Sequence, residues 1–228
     1  MKSIVFDAGP VISLTTNNLL WLVKSLKDKF KGEFYISGTV KRELIDRPLM
    51  TKKFKFEALQ VLQYVNKGIL KVIENDEIKK TAFDLLDLAN NCVKAKDNWI
   101  RIVHYGEIEG IAACLHLKSN AFVVDERTAR MLIENPRKEV DILRRKLHTD
   151  IKVNEENLKK FREMTKHIKS IRSIELVTVA YELGLLDEFL PNIENPKETL
   201  LDSVLWGVKL NGCAVSKKEI EQIIGMEK

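Results

Sequence analysis

Four acidic residues are spaced along the chain so that together they could hold a divalent metal ion: Asp7, Glu43, Glu107 and Asp125. Asp7 follows the apolar run 3–6, and Asp125 follows the similar run 121–124. Both runs predict buried strands. In an open α/β sheet, the carboxyl ends of such strands border the crevice in which ligands bind.

The two glutamates fall on predicted helices that can face the same crevice. Glu107 is in the first turn of its helix, where the helix dipole favours a negative charge. Glu43 is on a helix that begins just after the second predicted strand. A hard cation such as Mg²⁺ prefers oxygen ligands and is held by a few carboxylates. Four carboxylates in one cleft would repel each other unless cations neutralised them, and a metal is therefore expected.

Each acid also has an ordinary interpretation. Asp7 could cap the turn at Gly9 and Pro10. Glu43 and Glu107 could be surface helix residues, as most glutamates are. Asp125 could cap the following helix, with its neighbour Glu126 as the acid of the first turn. The metal-site interpretation depends on the coincidence of all four acids at the ends of successive strand and helix units.

Alternating strand and helix signals predict an α/β fold with a mainly parallel sheet covered by helices on both faces. Strands are predicted at residues 3–6, 34–36, 69–73, 101–103 and 121–124. Helices are predicted at residues 17–29, 39–44, 54–66, 77–94, 107–117 and 126–133. The remaining part is helical in pattern, at residues 154–171, 174–183, 198–210 and 216–224.

Composition limits the class of protein. The chain has 228 residues, of which 45% are hydrophobic, and can bury a sizeable core. It has no apolar run of the roughly 18 residues that a membrane span needs, and its first strand begins too early for a signal peptide. We therefore expect a cytoplasmic protein without membrane contacts. The three cysteines lack metal-ligand spacing and are expected to be reduced.

The positive charge is concentrated in one segment. Between Glu134 and Ser173 there are twelve Lys or Arg and seven Asp or Glu, so this segment accounts for the whole net charge of +5. Such a basic element suggests a polyanionic partner, because phosphate contacts supply most of the sequence-independent affinity for nucleic acids. The alternative is a solvated helix face in a protein rich in charged residues.

Four motifs carry a resemblance to a known family. The acids stand in Phe6-Asp7-Ala8-Gly9-Pro10-Val11-Ile12, in Ser37-Gly38-Thr39-Val40-Lys41-Arg42-Glu43-Leu44, in Gly106-Glu107-Ile108-Glu109-Gly110-Ile111-Ala112 and in Val124-Asp125-Glu126-Arg127-Thr128-Ala129-Arg130. In these motifs the chain resembles the PIN-domain nucleases, in the prokaryotic branch related to VapC. The resemblance implies a Rossmann-like PIN fold.

The spacing of the motifs agrees with that family. Glu107 and Asp125 are separated by 18 residues, which fits a helix, a turn and a strand. The resemblance makes Glu109 an auxiliary acid or further ligand. Where the family branch commonly has a second Asp, this chain has Glu126, which is the alternative to Asp125 as the fourth ligand.

The resemblance also divides the chain. Residues 1–134 are expected to form the nuclease core, and residues 173–228 resemble the terminal helices of the family branch. Residues 135–172 do not match and are predicted to be an inserted basic helical segment. A contact with substrate, an oligomer contact and an inert elaboration all remain open for this insertion.

The activity implied by the family is metal-dependent hydrolysis of single-stranded RNA. Mg²⁺ or Mn²⁺ held by the four acids would activate a water molecule for in-line attack. Substrate is expected to contact the basic residues beside the acids: Lys41, Arg42, Arg127 and Arg130. Two alternatives remain, a VapC-type toxin with an antitoxin partner and an RNA-binding or assembly protein that does not cleave. A homodimer is a further expectation from the family.

Overall fold

A parallel sheet of five strands forms the centre of the protein. The computed structural model describes residues 2–147 and 150–227. The strands are β1 (Ser3–Phe6), β2 (Glu33–Ser37), β3 (Leu70–Ile73), β6 (Ala121–Val123) and β8 (Lys169–Ile171), in the spatial order β3-β2-β1-β6-β8. Every neighbouring pair is parallel. The predicted α/β class with a central parallel sheet is confirmed.

A smaller antiparallel sheet lies in the order β5-β4-β7. Its strands are β4 (Val93–Ala95), β5 (Asn98–Trp99) and β7 (Ile151–Val153). Two predictions are corrected here. The helix expected over residues 77–94 ends at Asn90 because the chain enters β4. The strand expected at 101–103 is an irregular connection, in which the Asn90 side chain satisfies the amides of Ile102 and Val103.

Helices lie between the strands in the sequence, and further helices come after the last strand, β8. They are α1 (Ala8–Thr16), α2 (Trp21–Phe30), α3 (Gly38–Lys41), α4 (Arg47–Leu49), α5 (Lys55–Asn66), α6 (Asp76–Asn90), α7 (Tyr105–Leu117), α8 (Arg127–Glu134), α9 (Pro136–Leu147), α10 (Glu155–Thr165), α11 (Ser173–Glu182), α12 (Pro196–Leu210) and α13 (Lys217–Met226). A π-helical turn, Arg42–Asp46, joins α3 to α4 without a break, and a short 3₁₀ turn spans Asp187–Phe189. None of the helices within residues 2–147 and 150–227 has the length and apolar composition of a membrane span.

Alternation along the strands builds two cores. In β1, Ile4 and Phe6 face one core, and Val5 faces the other, as the twofold period of a strand requires. The first core contains buried residues of α1, α2, α5, α11, α12 and α13. The second contains those of α6, α7, α8 and α10. Gly110 allows α7 to approach the sheet closely, since a Cβ at this position would lie 2.6 Å from the Phe122 ring.

The basic segment contributes to the central sheet as well as to the helices around it. Residues 135–172 contain α9, β7, α10 and β8. The helix predicted over residues 154–171 ends at Thr165, because Lys169–Ile171 pairs with β6 as the fifth strand of the main sheet. Phe161 of α10 is buried in the second core. The described part of the segment therefore contains two helices, in keeping with its predicted helical character, and two strands that were not predicted, of which β8 belongs to the main sheet.

Candidate active site at the carboxyl edge of the sheet

Asp7 lies where the strand order of the sheet reverses. β1 has β2 on one side and β6 on the other: the chain runs from β1 through β2 to β3 on one side and then crosses to β6 and β8 on the other. Such a switch point opens a crevice at the carboxyl ends of its strands. The Asp7 amide donates a 2.9 Å hydrogen bond to the Val123 carbonyl, which fixes the residue at this point. In the alternative interpretation Asp7 caps a turn at Gly9 and Pro10, but these residues belong to the start of α1, with Asp7 at its N-cap position.

The carboxyl group of Asp7 is buried among other acids. Only 9% of the residue is exposed. Burial raises the pKa of Asp7, and the charges of Glu107 and Glu43 raise it further. The backbone N–H groups of Ala8 and Gly9 oppose these effects, and the resulting pKa is about 7. Three of the four predicted acids therefore act on one another electrostatically.

Glu107 is oriented by the start of its own helix. Its Oε2 accepts a 2.6 Å hydrogen bond from the His104 amide, which completes a capping box. Burial raises the pKa of Glu107, the His104 amide lowers it, and the charges of Glu126 and Glu43 raise it again. Arg101 lowers this pKa and is therefore close to the cluster. The sequence patterns did not single out Arg101, which stands three residues before His104.

Glu43 projects from the π-helical turn. The amide of Arg47 donates to the carbonyl of Arg42, five residues earlier, so the backbone is wider here than in an α-helix. A proline ring clashes with the carbonyl four residues before it in an α-helix, and Pro48 stands two residues after the end of this turn. Glu43 Oε2 lies 4.0 Å from the place a Cβ would take on Gly106. Glu43 is therefore beside the N-terminus of α7, next to Glu107.

Glu109 joins two of the helices that carry these acids. It is fully buried, and its Oε2 accepts a 2.8 Å hydrogen bond from the amide of Thr39 in α3. Its Oε1 accepts a 3.4 Å hydrogen bond from the Tyr105 hydroxyl. Through the bond to Thr39, Glu109 of α7 holds α3, which leads directly into the π-helical turn that carries Glu43. The geometry gives Glu109 a positioning role.

Asp125 lies beside Gly9 at the start of α1, but both of its carboxylate oxygens bind Ser173. A Cβ on Gly9 would lie 3.6 Å from the Asp125 Cβ. Oδ1 accepts a 2.7 Å bond from the Ser173 amide, and Oδ2 accepts a 2.8 Å bond from the Ser173 hydroxyl. Burial raises the pKa of Asp125, whereas Ser173 and Cys213 lower it. Both oxygens therefore hold the start of α11 to the end of β6.

Glu126 is the acid that extends the cluster on this side. It occupies the N-cap of α8, where its Oε2 accepts a 2.7 Å hydrogen bond from the Ala129 amide. Its charge raises the pKa of Glu107, so the two carboxylates are neighbours. Behind it, the buried Glu139 lies 3.7 Å from Arg127, and the charge of Glu126 raises the pKa of Glu139 too.

The donor set has the chemistry of a site for a hard cation. Asp7, Glu43, Glu107 and Glu126 offer only carboxylate oxygens, which Mg²⁺ and Mn²⁺ prefer. A cation would also offset the repulsion that raises the pKa of Asp7. Within residues 2–147 and 150–227, no three acidic, His or Cys side chains already stand at the spacing of a formed metal centre.

The four basic residues predicted to bind substrate each lie near a carboxylate of the protein. Lys41 pairs with Asp46 at 3.1 Å, Arg42 with Glu74 at 3.5 Å, Arg127 with Glu139 at 3.7 Å and Arg130 with Glu134 at 3.6 Å. Arg42 also donates to the Thr39 hydroxyl. Contact with a phosphate would therefore exchange one anionic partner for another.

No protein-family model, curated protein or solved structure matches this chain. The resemblance to PIN-domain nucleases therefore stays a prediction, which rests on the four sequence motifs.

Proposed function

We propose that this protein is a Mg²⁺- or Mn²⁺-dependent endoribonuclease that hydrolyses single-stranded RNA. The observation that carries the proposal is Asp7, a buried carboxyl group at the switch point of the sheet whose pKa of about 7 is raised by burial and by two neighbouring glutamates. Such perturbed groups concentrate at functional sites. The nuclease motifs stand at the same residues.

Three acids are the core of the proposed metal site: Asp7, Glu43 and Glu107. Asp125 is the weakest of the predicted ligands because Ser173 occupies both of its oxygens. Glu126, beside Glu107, is the better fourth candidate. When bound, a divalent ion would supply the acidity that converts water to a nucleophile near neutral pH and would stabilise charge on the phosphate.

The residues around the acids have supporting roles in the proposal. His104 and Glu109 orient Glu107 and the helix of Glu43, respectively. Asp7 must lose its proton to bind an ion, so metal uptake would release protons at neutral pH. Arg101, which acts on Glu107 from the edge of the cluster, is placed to contact an RNA phosphate.

Replacing Asp7 by Asn tests the proposal. Mutation of residues that only orient metal ligands already lowers metal affinity or activity by about 10- to 100-fold. We therefore expect Asp7→Asn to lower both Mn²⁺ affinity and cleavage of a labelled single-stranded RNA by more than about a hundredfold. Isothermal titration calorimetry and a gel assay would measure the two quantities.

Asp28→Asn is the matched control, because Asp28 is an exposed residue of α2 that, among the residues the structure describes, pairs only with Lys24. It should bind Mn²⁺ and cleave RNA as the wild type does. Full activity in Asp7→Asn would remove Asp7 from the site and with it the proposal.

A second candidate is an RNA-binding or assembly protein without cleavage. The observation that favours it is Asp125, which is committed to α11 and leaves three of the four predicted acids facing the cluster. Wild-type protein that binds single-stranded RNA in Mn²⁺ but leaves it intact over hours would support this candidate against the nuclease.

A further inference from the structure

A short surface segment beside Glu43 has an unusual composition. Residues 50–56 read Met-Thr-Lys-Lys-Phe-Lys-Phe, and all seven are exposed. The exposed fractions are 89% for Met50, 46% for Phe54 and 69% for Phe56. Leu59, one turn into α5, adds another exposed apolar side chain. Contiguous apolar side chains at a surface mark an interaction site more often than isolated ones do. We call residues 50–56 the Lys-Phe segment.

The charge of the segment favours one class of partner. Among the described residues, no carboxylate lies within ion-pair distance of Lys52, Lys53 or Lys55. The more basic stretch 135–172 differs, since several of its cations are paired within it: Arg137 with Glu155, Arg144 with Asp141, Lys160 with Glu156 and Lys166 with Glu163. The unpaired lysines of the Lys-Phe segment are available for phosphates.

The Thr51 side chain fixes the backbone of the segment. The Thr51 hydroxyl donates to the carbonyls of Pro48 and Lys53, at 3.1 and 3.0 Å. Phe54 has a φ of 61°, in the left-handed region. A bulky residue rarely adopts this conformation, and such strain concentrates at ligand-binding sites. The Lys53 ammonium lies 4.7 Å from the centre of the Phe54 ring, so one face of this ring already contacts a cation of the segment.

The segment adjoins the proposed active site. Phe54 and Glu43 line the same cavity of about 90 Å³, together with Ile12 and Pro48. An RNA strand bound across the Lys-Phe segment would therefore lie beside Glu43 of the acidic cluster. Grooves for single-stranded nucleic acids combine these two elements, aromatic rings on which bases stack and cations that follow the backbone.

We propose that the Lys-Phe segment binds single-stranded RNA. The rings of Phe56 and Phe54 stack on bases, and Lys52, Lys53 and Lys55 contact phosphates. The inference rests on the proposed function for its substrate, but it concerns binding alone. It can therefore be tested without cleavage.

The test is the binding of a fluorescein-labelled 12-nucleotide oligouridylate, measured by anisotropy in EDTA. Stacking on one aromatic ring is worth about 1–3 kcal/mol, so Phe56→Ala should weaken binding by roughly 5- to 150-fold. Phe56→Trp should keep the affinity, since any aromatic face can stack. Phe189→Ala, which removes another exposed ring, should change nothing.

Salt dependence tests the lysines. Removing three phosphate contacts from a single strand lowers the slope of log K against log salt by about 2. Lys52→Ala, Lys53→Ala and Lys55→Ala combined should produce this change. The matched triple variant removes Lys138, Lys146 and Lys159, three cations of the stretch 135–172, and should leave the slope nearly unchanged. An equal change in both triple variants would mean a general charge effect and would overturn the proposal.

The remaining outcomes distinguish the RNA-binding role of the Lys-Phe segment from the proposed nuclease activity. If wild-type protein cleaves RNA and Phe56→Ala binds it equally well, the RNA-binding role is wrong and the nuclease activity is retained. If Phe56→Ala weakens binding and wild-type protein does not cleave in Mn²⁺, the RNA-binding role is retained and the nuclease activity is wrong. If sedimentation shows a dimer that Phe56→Ala dissociates while RNA binding is unchanged, the segment joins two copies and the RNA-binding role is wrong.

Discussion

A carboxylate buried among other carboxylates has a free-energy cost that it would not have in water, and at the scale of single residues this cost sets Asp7 apart. Two other buried acids are compensated by hydrogen bonds: Asp125 accepts two from Ser173, and Glu109 accepts bonds from Thr39 and Tyr105. The buried Glu139 has Arg127 at 3.7 Å but no hydrogen bond among the described residues. Within residues 2–147 and 150–227, the amides of Ala8 and Gly9 at the start of α1 are the groups that lower the pKa of Asp7 against burial and the charges of Glu107 and Glu43. Proteins keep uncompensated groups of this kind mainly for function.

The pKa of Asp7 predicts a pH-dependent effect on stability. Its pKa is raised from 3.8 to about 7 in the folded protein. The unfolded chain therefore loses this proton first, and stability falls as the pH rises from about 4 to about 7. Asp7→Asn removes the cost. It should stabilise the metal-free protein at pH 8 by up to about 4 kcal/mol and have little effect at pH 3.5.

Urea denaturation in EDTA at both pH values would measure this difference. Saturating Mn²⁺ should reverse the order at pH 8, because it stabilises only the wild type. A stabilisation by Asp7→Asn that is the same at both pH values would contradict a pKa near 7 as its origin.

At the scale of elements, two features of the backbone position the acids. The π-helical turn carries Glu43, and such turns occur often at functional sites. The N-terminus of α11 is bound to the end of β6 through Asp125. Asp125, predicted as a fourth metal ligand, thus joins the end of β6 to Ser173, which is 48 residues later in the sequence.

Asp125→Ala should therefore reduce stability more than metal affinity. It removes two hydrogen bonds to a buried charged group and leaves the Ser173 amide without a partner, which costs on the order of 2–4 kcal/mol. Glu126→Gln should show the opposite pattern, with weaker Mn²⁺ binding and nearly unchanged stability. Urea denaturation and calorimetry on both variants would test this; a loss of Mn²⁺ affinity in Asp125→Ala alone would return Asp125 to the metal site.

At the scale of the whole molecule, the C-terminal helices close the first core around one arginine. Arg172, at the start of α11, is ion-paired with Glu175 and, at 3.0 Å, with Glu219 of α13. It also donates to the Ala214 carbonyl. Burial raises the pKa of Glu219, but hydrogen bonds from Ser216 and Arg172 outweigh this effect and lower the pKa to about 2.

Glu219 should therefore stabilise the protein at neutral pH and not in strong acid. Because its folded-state pKa is below the ordinary value of 4.5, its contribution is complete above about pH 4.5 and is lost as the pH falls to about 2. Glu219→Gln should cost about 1 kcal/mol at pH 7, a small value because the side chain is partly exposed to solvent. Thermal unfolding of both proteins at pH 7 and pH 2.5 would test this, and an equal difference at both pH values would exclude the charge as its cause.

Local signals in the sequence determined the alternating strands and helices and the candidate acids. Apolar runs predicted β1, β2, β3 and β6, and Ser37 and Ser216 cap α3 and α13 as their residue types suggest. The strand β8 was missed, because three residues with two polar side chains have no local pattern and become a strand only by pairing with β6. The helix α1 was missed because Gly9 and Pro10 suggest a turn, although proline is well tolerated in a first helical turn.

Only the tertiary structure decided which carboxylate oxygens face one another. The sequence placed Asp7, Glu43, Glu107 and Asp125 at the ends of strands and helices, since that depends on neighbours along the chain. It could not show that Ser173 binds Asp125, that Glu109 binds Thr39, or that Phe54 lies beside Glu43. These contacts join residues far apart in the sequence. The packing of α7, α11 and the π-helical turn against the sheet brings them together.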